Sequence, residues 1–433
     1  MTSTTYSDKP TDIQIELSTN EDLPPPITPL TWLAFLLGRR TAILAVASSR
    51  QSLWLGLLFV LSAGLAREYD GAYLLRESWH LVLPLVASLG TSALLFTLVR
   101  LAARAHKLRT LTWIEGYRVV LAFFWMTAPL AWLYAIPVER YLDPTEAMQA
   151  NLAFLGIVSA WRVVLLIRAI TVWLDAPVIS ITWLVLFFAL SVAIALAFVT
   201  PTPIWDVMGG VRLAPSEQLI LDLKLTLYFI GIPLWILLAI GTAVVGCRQS
   251  PPWKVLAVPS SAGPYVSRFA WAFAVSLILG GVSILPLTQP EQARRWEANQ
   301  LLRSGSIEEA LEFIAAQGRE AFPRHWSPAP NVVYGEHTPP ITDVLAQLDA
   351  AQTPIWLRDV FAEKAVLGYE LSDIIEAAGN GQTAALTEVL DYLDRHPQSF
   401  SDHQHRVFNN ASESTKLGEN LRNRIRSKIK SER

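Results

Sequence analysis

Arginines inside an apolar segment are the residues best placed to do chemistry in this chain. Arg162 lies near the middle of the predicted membrane span Asn151–Leu174, and Arg168 follows two turns later. A charge at bilayer depth is costly and by default marks a functional site. No acidic residue lies inside any predicted span to pair with Arg162, so backbone, polar side chains, water or the interface must solvate it. Two interpretations stay open: snorkelling with packing in the bundle, or a polar cavity or anion path.

A second concentration of polar side chains occupies one short loop after the first predicted span. Its members are Arg67, Glu68, Asp70, Arg76, Glu77, Trp79 and His80. Such density at a membrane interface would suit a proton or ligand site. Mutual salt bridging that anchors the helix ends is the alternative. The candidate substrate or ion path therefore comprises Arg162, Arg168, Arg67, Glu68, Asp70 and His80.

Familiar enzyme signatures are missing from the chain. It contains no GxxxxGK[ST], HExxH or GxSxG pattern and no GxGxxG after a strand. His403 and His405 form an HxH pair, but a metal site would need further ligands, and His325 and His337 lie in a loop where packing or exposure is the default. The sequence thus predicts no catalytic residue, no metal and no cofactor, and it favours a protein that is not an enzyme.

Composition identifies the environment of these residues. Hydrophobic residues make up 52% of the chain and charged residues 17%, against about 25% charged in ordinary soluble domains. A helix that crosses the hydrocarbon core needs about 20 mostly apolar residues. The segments that meet this requirement are Ile43–Ala66, Leu81–Ala103, Tyr117–Val138, Asn151–Leu174, Ile179–Thr200, Leu225–Cys247 and Phe269–Leu287. The first is the weakest, because Arg50 interrupts it and the apolar run Leu53–Ala66 is short.

Charges in the loops predict an orientation, since short cytoplasmic loops are rich in Lys and Arg. The basic loops hold Arg39, Arg40 and Arg50, then Arg100, Arg104, Lys107, Arg109 and Arg118, then Arg248, Lys254 and Arg268. The intervening loops are acidic and hold Glu68, Asp70 and Glu77, then Glu139, Asp143 and Glu146, then Asp206, Glu217 and Asp222. The N-terminus is therefore predicted to be cytoplasmic and the chain after Thr288 extracytoplasmic.

Four regions follow from these patterns. Residues 1–29 are polar and proline-rich and are predicted to be a disordered tail, residues 30–288 a transmembrane helical domain, residues 289–398 a soluble helical domain, and residues 399–433 a weakly ordered basic tail. The basic end could attract anionic lipid, and a solvated charged terminus is the alternative. With a net charge of −2, nothing points to nucleic acid. The expected partners are the lipid bilayer and, for the C-terminal domain, a protein.

Three stretches carry a resemblance to known proteins. They are LWLGLLFVLSAGLAREYDG (Leu53–Gly71) with SWHL (Ser78–Leu81), the helix of Arg162 and Arg168, and FPRHWSPAP (Phe322–Pro330). Together they resemble an uncharacterised group of multi-pass inner-membrane proteins of planctomycete bacteria, scattered over most of residues 30–370. The resemblance implies a bacterial inner membrane and a shared architecture, and no activity or catalytic residue.

The sequence therefore predicts an all-α protein, a polytopic membrane helix bundle of about seven spans with a soluble helical C-terminal domain. The leading hypothesis for its function is a non-enzymatic membrane anchor that displays a helical interaction domain. The alternative is a transporter or channel component with a polar site around Arg162. A third, an intramembrane enzyme using the Arg67–His80 loop, has weaker support.

Overall fold

The computed structural model describes residues 27–69, 71–106, 108, 112–199, 215–247, 253–257, 266–323, 326, 328–329, 339–348, 352–367, 370–397, 400 and 402–431. Every regular element in these ranges is a helix, which confirms the all-α prediction. The α-helices are α1 Pro29–Leu36, α2 Arg40–Ser48, α3 Gln51–Glu68, α4 Trp79–Ala105, α5 Trp113–Met126, α6 Pro144–Leu174, α7 Val178–Val199, α8 Pro215–Thr226, α9 Ile232–Cys247, α10 Arg268–Leu279, α11 Leu285–Thr288, α12 Pro290–Arg303, α13 Ile307–Gln317, α14 Ile341–Ala346, α15 Ile355–Leu367, α16 Leu371–Gly379, α17 Ala384–Arg395, α18 Asp402–Glu413 and α19 Glu419–Ser431.

Within the described ranges, six helical stretches are long and apolar enough to cross a membrane. They are Trp79–Ala105, Trp113–Arg140, Thr145–Leu174, Val178–Val199, Leu219–Gly246 and Arg268–Thr288. The pair α1 and α2 is bent by 118° and makes a seventh if it is counted as one span. A polytopic bundle of about seven spans is thereby confirmed.

The first predicted span, Ile43–Ala66, is wrong as a single helix. Helix α2 ends at Ser48 and α3 begins at Gln51, because Ser49 takes an extended conformation with φ −89° and ψ 132°. The Gln51 N–H donates to Ser49 Oγ (3.2 Å), and Ser52 Oγ donates to the Ser49 carbonyl (2.7 Å). Serine side chains thus bond to backbone groups that the break would otherwise leave unsatisfied.

Helix α3 lies among other helices of the bundle and packs against α4, α5, α10 and the 3₁₀ helix Ala128–Ala135. Small residues allow this close approach. A Cβ added at Gly56 would lie 2.7 Å from Trp125 Cβ, and Ser62 Oγ accepts a hydrogen bond from Trp132 Nε1 (3.0 Å). Since most of its surface contacts protein, α3 does not need the continuous apolar surface of a lipid-facing helix, although Trp54 is exposed.

Prolines mark the irregular stretches of two spans. Pro129 lies in the 3₁₀ helix that follows α5, and Pro233 follows the π-helical turn Leu227–Gly231. A proline lacks the N–H that a helix interior requires and clashes with the carbonyl four residues earlier, so the hydrogen-bond pattern shifts locally.

The C-terminal helices enclose a hydrophobic core of their own. Its buried residues run from Ala298 to Ile425, whereas those of the bundle core run from Ile27 to Ala270. Phe408 of α18 and Ile425 of α19 are fully buried in the C-terminal core. The expectation that the chain beyond residue 399 is weakly ordered is therefore wrong for residues 402–431, while the boundary at residue 289 stays a prediction.

Basic side chains of α19 pair with acidic side chains of α17. Arg424 Nη2 lies 2.8 Å from Asp391 Oδ1 and 2.5 Å from Asp394 Oδ2, and Lys428 also contacts Asp394. The hydrogen bonds from Lys428 and then Arg424 hold the pKa of the Asp394 carboxyl below its usual value. The positive charge at the end of the chain is thus partly neutralised within the protein.

The loops between helices gather at two ends of the bundle. At one end, the Leu256 N–H donates to the Trp173 carbonyl (2.9 Å) and the Trp253 ring stacks on His106 (centroids 4.6 Å apart). At the other, Gln289 Nε2 donates to the Tyr69 carbonyl (2.6 Å). The first group of loops is the one predicted to be basic and inside, and the second is the one predicted to be outside.

The buried Tyr392 and the partly buried Lys364 should make the stability of the C-terminal helices depend on alkaline pH. Burial lowers the pKa of the Lys364 ammonium from 10.5 to about 8, and burial, aided by the carboxylates of Glu363 and Asp359, raises the pKa of the Tyr392 phenol from 10.0 to about 12. Between pH 8 and pH 10.5 the unfolded chain binds more protons at Lys364, so stability should rise with pH. Above pH 10 the unfolded chain loses the Tyr392 proton while the folded chain keeps it. The stability that Tyr392 contributes is therefore lost as the pH rises towards 12.

We therefore expect maximal stability near about pH 10 in urea unfolding of the full-length protein in detergent. The Lys364→Met variant should show the alkaline decline without the preceding rise. If the stability of Lys364→Met rose equally with pH, groups other than Lys364 would be responsible for the rise.

Candidate functional site

Three residues of the predicted outer cluster meet at the end of α3. Arg67 Nε lies 3.6 Å from Glu68 Oε1, and His80 Nδ1 lies 3.9 Å from Glu68 Oε2. The His80 ring stacks on Trp79 with centroids 3.8 Å apart. Asp70 lies outside the described residues. Glu68 thus lies between Arg67 on its own helix and the His80 ring at the start of α4.

Arg162 points into the bundle rather than along α6 towards an interface. Its Nε donates to Thr127 Oγ1 (3.1 Å), and its guanidinium carbon lies 4.8 Å from the centroid of the Phe124 ring. The Thr127 hydroxyl in turn donates to the Phe124 carbonyl (2.7 Å) and is fully buried. A polar side chain and an aromatic face thus supply the partners that no acidic residue could supply.

Arg168 does not join this arrangement. Its side chain is exposed, and its Nε donates to the Gly38 carbonyl (3.3 Å) in the turn between α1 and α2. The two arginines of α6 therefore have different roles: Arg162 contacts the end of α5, and Arg168 ties α6 to the turn after α1.

Tyr134 lies near Arg162 and near Arg67 of the outer cluster. Its side chain lines a cavity of about 470 Å³ at the outer end of the bundle. The cavity is lined by Ala66, Arg67, Tyr69, Gly71, Tyr134, Ala135, Pro137, Glu139, Arg140, Tyr141, Thr288, Glu291, Arg295 and Pro323. A row of polar groups thus runs from Arg162 to a space between the bundle and α12.

Charged side chains give this cavity its chemical character. Arg140 Nη2 lies 3.7 Å from Glu291 Oε1, and Arg295 Nε lies 3.9 Å from the same oxygen. With Arg67, three arginines and two glutamates line the space, so guanidinium donors outnumber carboxylate acceptors. Such a lining can hold a small anion by charge-assisted hydrogen bonds.

Gln289 holds the outer loop against the start of α12. The side chain is 1% exposed. Its Nε2 donates to the Tyr69 (2.6 Å) and Ala72 (3.1 Å) carbonyls, and its Oε1 accepts from the Leu74 N–H (3.2 Å). A single amide therefore satisfies three backbone groups of a loop more than two hundred residues earlier in the chain.

Sequence reasoning missed Gln289, Tyr134 and the ion pairs of α12. Glu291 and Arg295 are four residues apart on one helix, a spacing that alone predicts an ion pair. Nothing in the sequence signals that Arg140 joins them, because that contact depends on how the bundle packs against α12.

Comparisons with known proteins give no significant match to this chain. It matches no protein-family model, and neither a curated protein nor a solved structure is significantly similar to it.

The histidines singled out in the sequence form no metal site within the part of the chain that the structure describes. There, no three His, Cys, Asp or Glu side chains are grouped so that they could hold a metal ion. The His405 ring packs edge-on against Phe400, with centroids 5.7 Å apart. His325, His337 and the side chain of His403 lie outside the described residues. The cavity beside Tyr134 is thus the candidate site.

Proposed function

We propose that the protein is a non-enzymatic membrane anchor that holds a helical interaction domain in a fixed position at the membrane surface. The observation that carries this proposal is the three-bond contact of Gln289 with the outer loop. The last span ends at Thr288 and α12 begins at Pro290, so no flexible linker separates them. A second contact joins the outer loop to α12: the Trp296 ring lies 5.6 Å from the Arg76 guanidinium carbon.

Photocrosslinking in the native cell tests the anchor. Ile355 is 60% exposed on the C-terminal helices, and a photoreactive amino acid there should give one discrete protein adduct. The same probe at Glu308, an exposed position on α13, serves as the control. The probe at Glu308 should give no such adduct. Absence of an adduct at Ile355, or equal adducts at both positions, would reject the anchor.

A bacterial inner membrane is the proposed location, with the N-terminus in the cytoplasm and the C-terminal helices outside. Support comes from the alternation of basic and acidic loops and from the gathering of Trp173, Trp253 and His106 at one end of the bundle. We expect alkaline phosphatase to be active when fused after Gln300 and inactive when fused after Lys107. The opposite pair of results would reverse the topology.

A transporter or channel component that handles a small anion is the second candidate. Its support is the row formed by Arg162, the nearby Tyr134 and the arginine-rich cavity that Tyr134 lines beside Arg67. A buried guanidinium offers a planar fork of donors that an ammonium group cannot copy. The proposal differs from the anchor in requiring measurable flux.

Flux assays in proteoliposomes, with chloride, phosphate and acetate as probes, test this candidate. We expect Arg162→Lys to slow flux of the transported anion at least tenfold, the effect of losing about 1.4 kcal/mol, with an unchanged melting temperature. Arg168→Lys, on the same helix but outside the row, should keep normal flux. No flux of any probe through the unmodified protein, or equal losses for both variants, would reject the anion path.

A further inference from the structure

A groove of about 490 Å³ lies between α3 and α5, away from the cavity beside Tyr134. Its lining consists of Arg50, Leu53, Trp54 and Leu57 with Arg118 and Trp125. The first four residues follow the spacing of one helix face, and the last two are two turns apart on the other helix. Trp54 is 50% exposed, so the groove opens towards the surroundings of the bundle.

The groove has a charged end and an apolar end. Helices α3 and α5 both run from the basic end of the bundle, and Gly56 of α3 lies opposite Trp125 of α5. Counting back six residues on α3 and seven on α5 places Arg50 and Arg118 at the same level. Seven residues of helix rise about 10 Å. The groove thus extends about 10 Å from a pair of guanidinium groups into the predicted apolar layer.

This arrangement matches the chemistry of one class of ligand. A guanidinium binds phosphate oxygens through two parallel hydrogen bonds, and basic pockets between membrane helices on the cytoplasmic side bind anionic lipid head groups. Leucine and tryptophan along the groove suit an acyl chain, which a free phosphate does not have. Arg50 and Arg118 also interact within the protein, so a lipid would add to those interactions rather than replace them.

We propose that the groove binds an anionic phospholipid of the bilayer. Its phosphate lies between the guanidinium groups of Arg50 and Arg118, and one acyl chain lies along Leu53, Trp54 and Leu57. The site would fix the spacing of α3 and α5 at the basic end of the bundle. This proposal is independent of both proposed functions, because it involves neither the C-terminal helices nor the cavity beside Tyr134.

Native mass spectrometry of the full-length protein in non-ionic detergent tests the site. The probes are dioleoylphosphatidylglycerol, dioleoylphosphatidylcholine and inorganic phosphate, with the two lipids in equimolar competition. We expect phosphatidylglycerol to be retained over phosphatidylcholine and phosphate not to compete. Arg50→Gln and Arg118→Gln should each weaken phosphatidylglycerol binding about fivefold, which corresponds to about 1 kcal/mol per basic group.

A matched control and a blocking variant complete the test. Arg104→Gln removes an exposed arginine from the same end of the bundle and should leave binding unchanged. Leu57→Trp keeps both arginines but fills the groove, so it should abolish the preference. Equal retention of the two lipids by the unmodified protein, competition by free phosphate, or an equal loss in Arg104→Gln would overturn the proposal. If the Arg50 and Arg118 variants do not fold, the unmodified protein and Leu57→Trp decide the outcome.

Discussion

Replacing Glu388 with alanine should destabilise the C-terminal helices by about 3 kcal/mol, because the buried Arg358 loses its hydrogen-bonded carboxylate and keeps only the longer contact with Asp391 (3.6 Å). Glu388 of α17 and Arg358 of α15 are 8% and 9% exposed. Arg358 donates through Nε (2.7 Å) and Nη2 (2.5 Å) to the two carboxylate oxygens. Hydrogen bonding to Glu388 raises the pKa of Arg358. The guanidinium is protonated in proteins even without such a partner, so the arginine stays charged when the carboxylate is removed.

Urea unfolding of the detergent-solubilised protein, followed by amide hydrogen exchange in α15 and α17, measures this effect. Glu376→Ala, which removes an exposed glutamate of α16, should change stability by less than about 0.5 kcal/mol. The double variant Arg358→Met with Glu388→Leu should recover most of the loss, because two apolar side chains of similar size leave no unpaired charge. A double variant as unstable as Glu388→Ala would show that packing, not charge, sets the cost.

Replacing Gln289 with leucine should release the outer loop from α12. The change leaves the Tyr69 and Ala72 carbonyls and the Leu74 N–H without their partner, and each unsatisfied buried group costs about 1–3 kcal/mol. Because the loop can shift towards water, we expect a net loss of about 3 kcal/mol rather than the full sum. The amide of Leu74 should exchange with solvent more than tenfold faster, as a loss above about 1.4 kcal/mol requires.

Gln300→Leu is the matched control, since Gln300 is an exposed glutamine on α12, the helix that follows Gln289. It should leave exchange in the outer loop unchanged. If the anchor proposal is right, Gln289→Leu should also weaken the photocrosslink at Ile355, because the C-terminal helices would lose their fixed position. Unchanged exchange at Leu74 in Gln289→Leu would mean that the contact contributes little to the fold.

Composition and periodicity were enough to predict the helix bundle and its approximate number of spans. The excess of apolar residues has no stable place outside lipid, and each block from Leu81 to Leu287 is long enough to cross it. Within lipid a spanning segment satisfies its own backbone only as a helix or in a closed barrel. The loop charges similarly predict the alternation of ends without any knowledge of packing.

The prediction of a weakly ordered basic tail was wrong because its few apolar residues are outnumbered in sequence by charged and polar ones. Phe408 and Ile425 are few among many polar neighbours, yet both are buried in the C-terminal core. Arg424 and Lys428 of α19 form ion pairs with Asp391 and Asp394 of α17. Local composition cannot report a partner that lies thirty residues away, whereas the folded core places the two helices side by side.

The candidate site was decided by tertiary structure. The sequence identified Arg162 as costly in an apolar helix, but Thr127 and Phe124, which surround it, lie on a different helix and carry no signal of that role. Nothing in the sequence distinguishes Gln289 from other residues at a helix boundary. Only the structure shows that its amide donates to the Tyr69 carbonyl. The physical reason is common to both: a helix's periodicity reports which face is apolar, while the partner of a polar group depends on which elements pack against it.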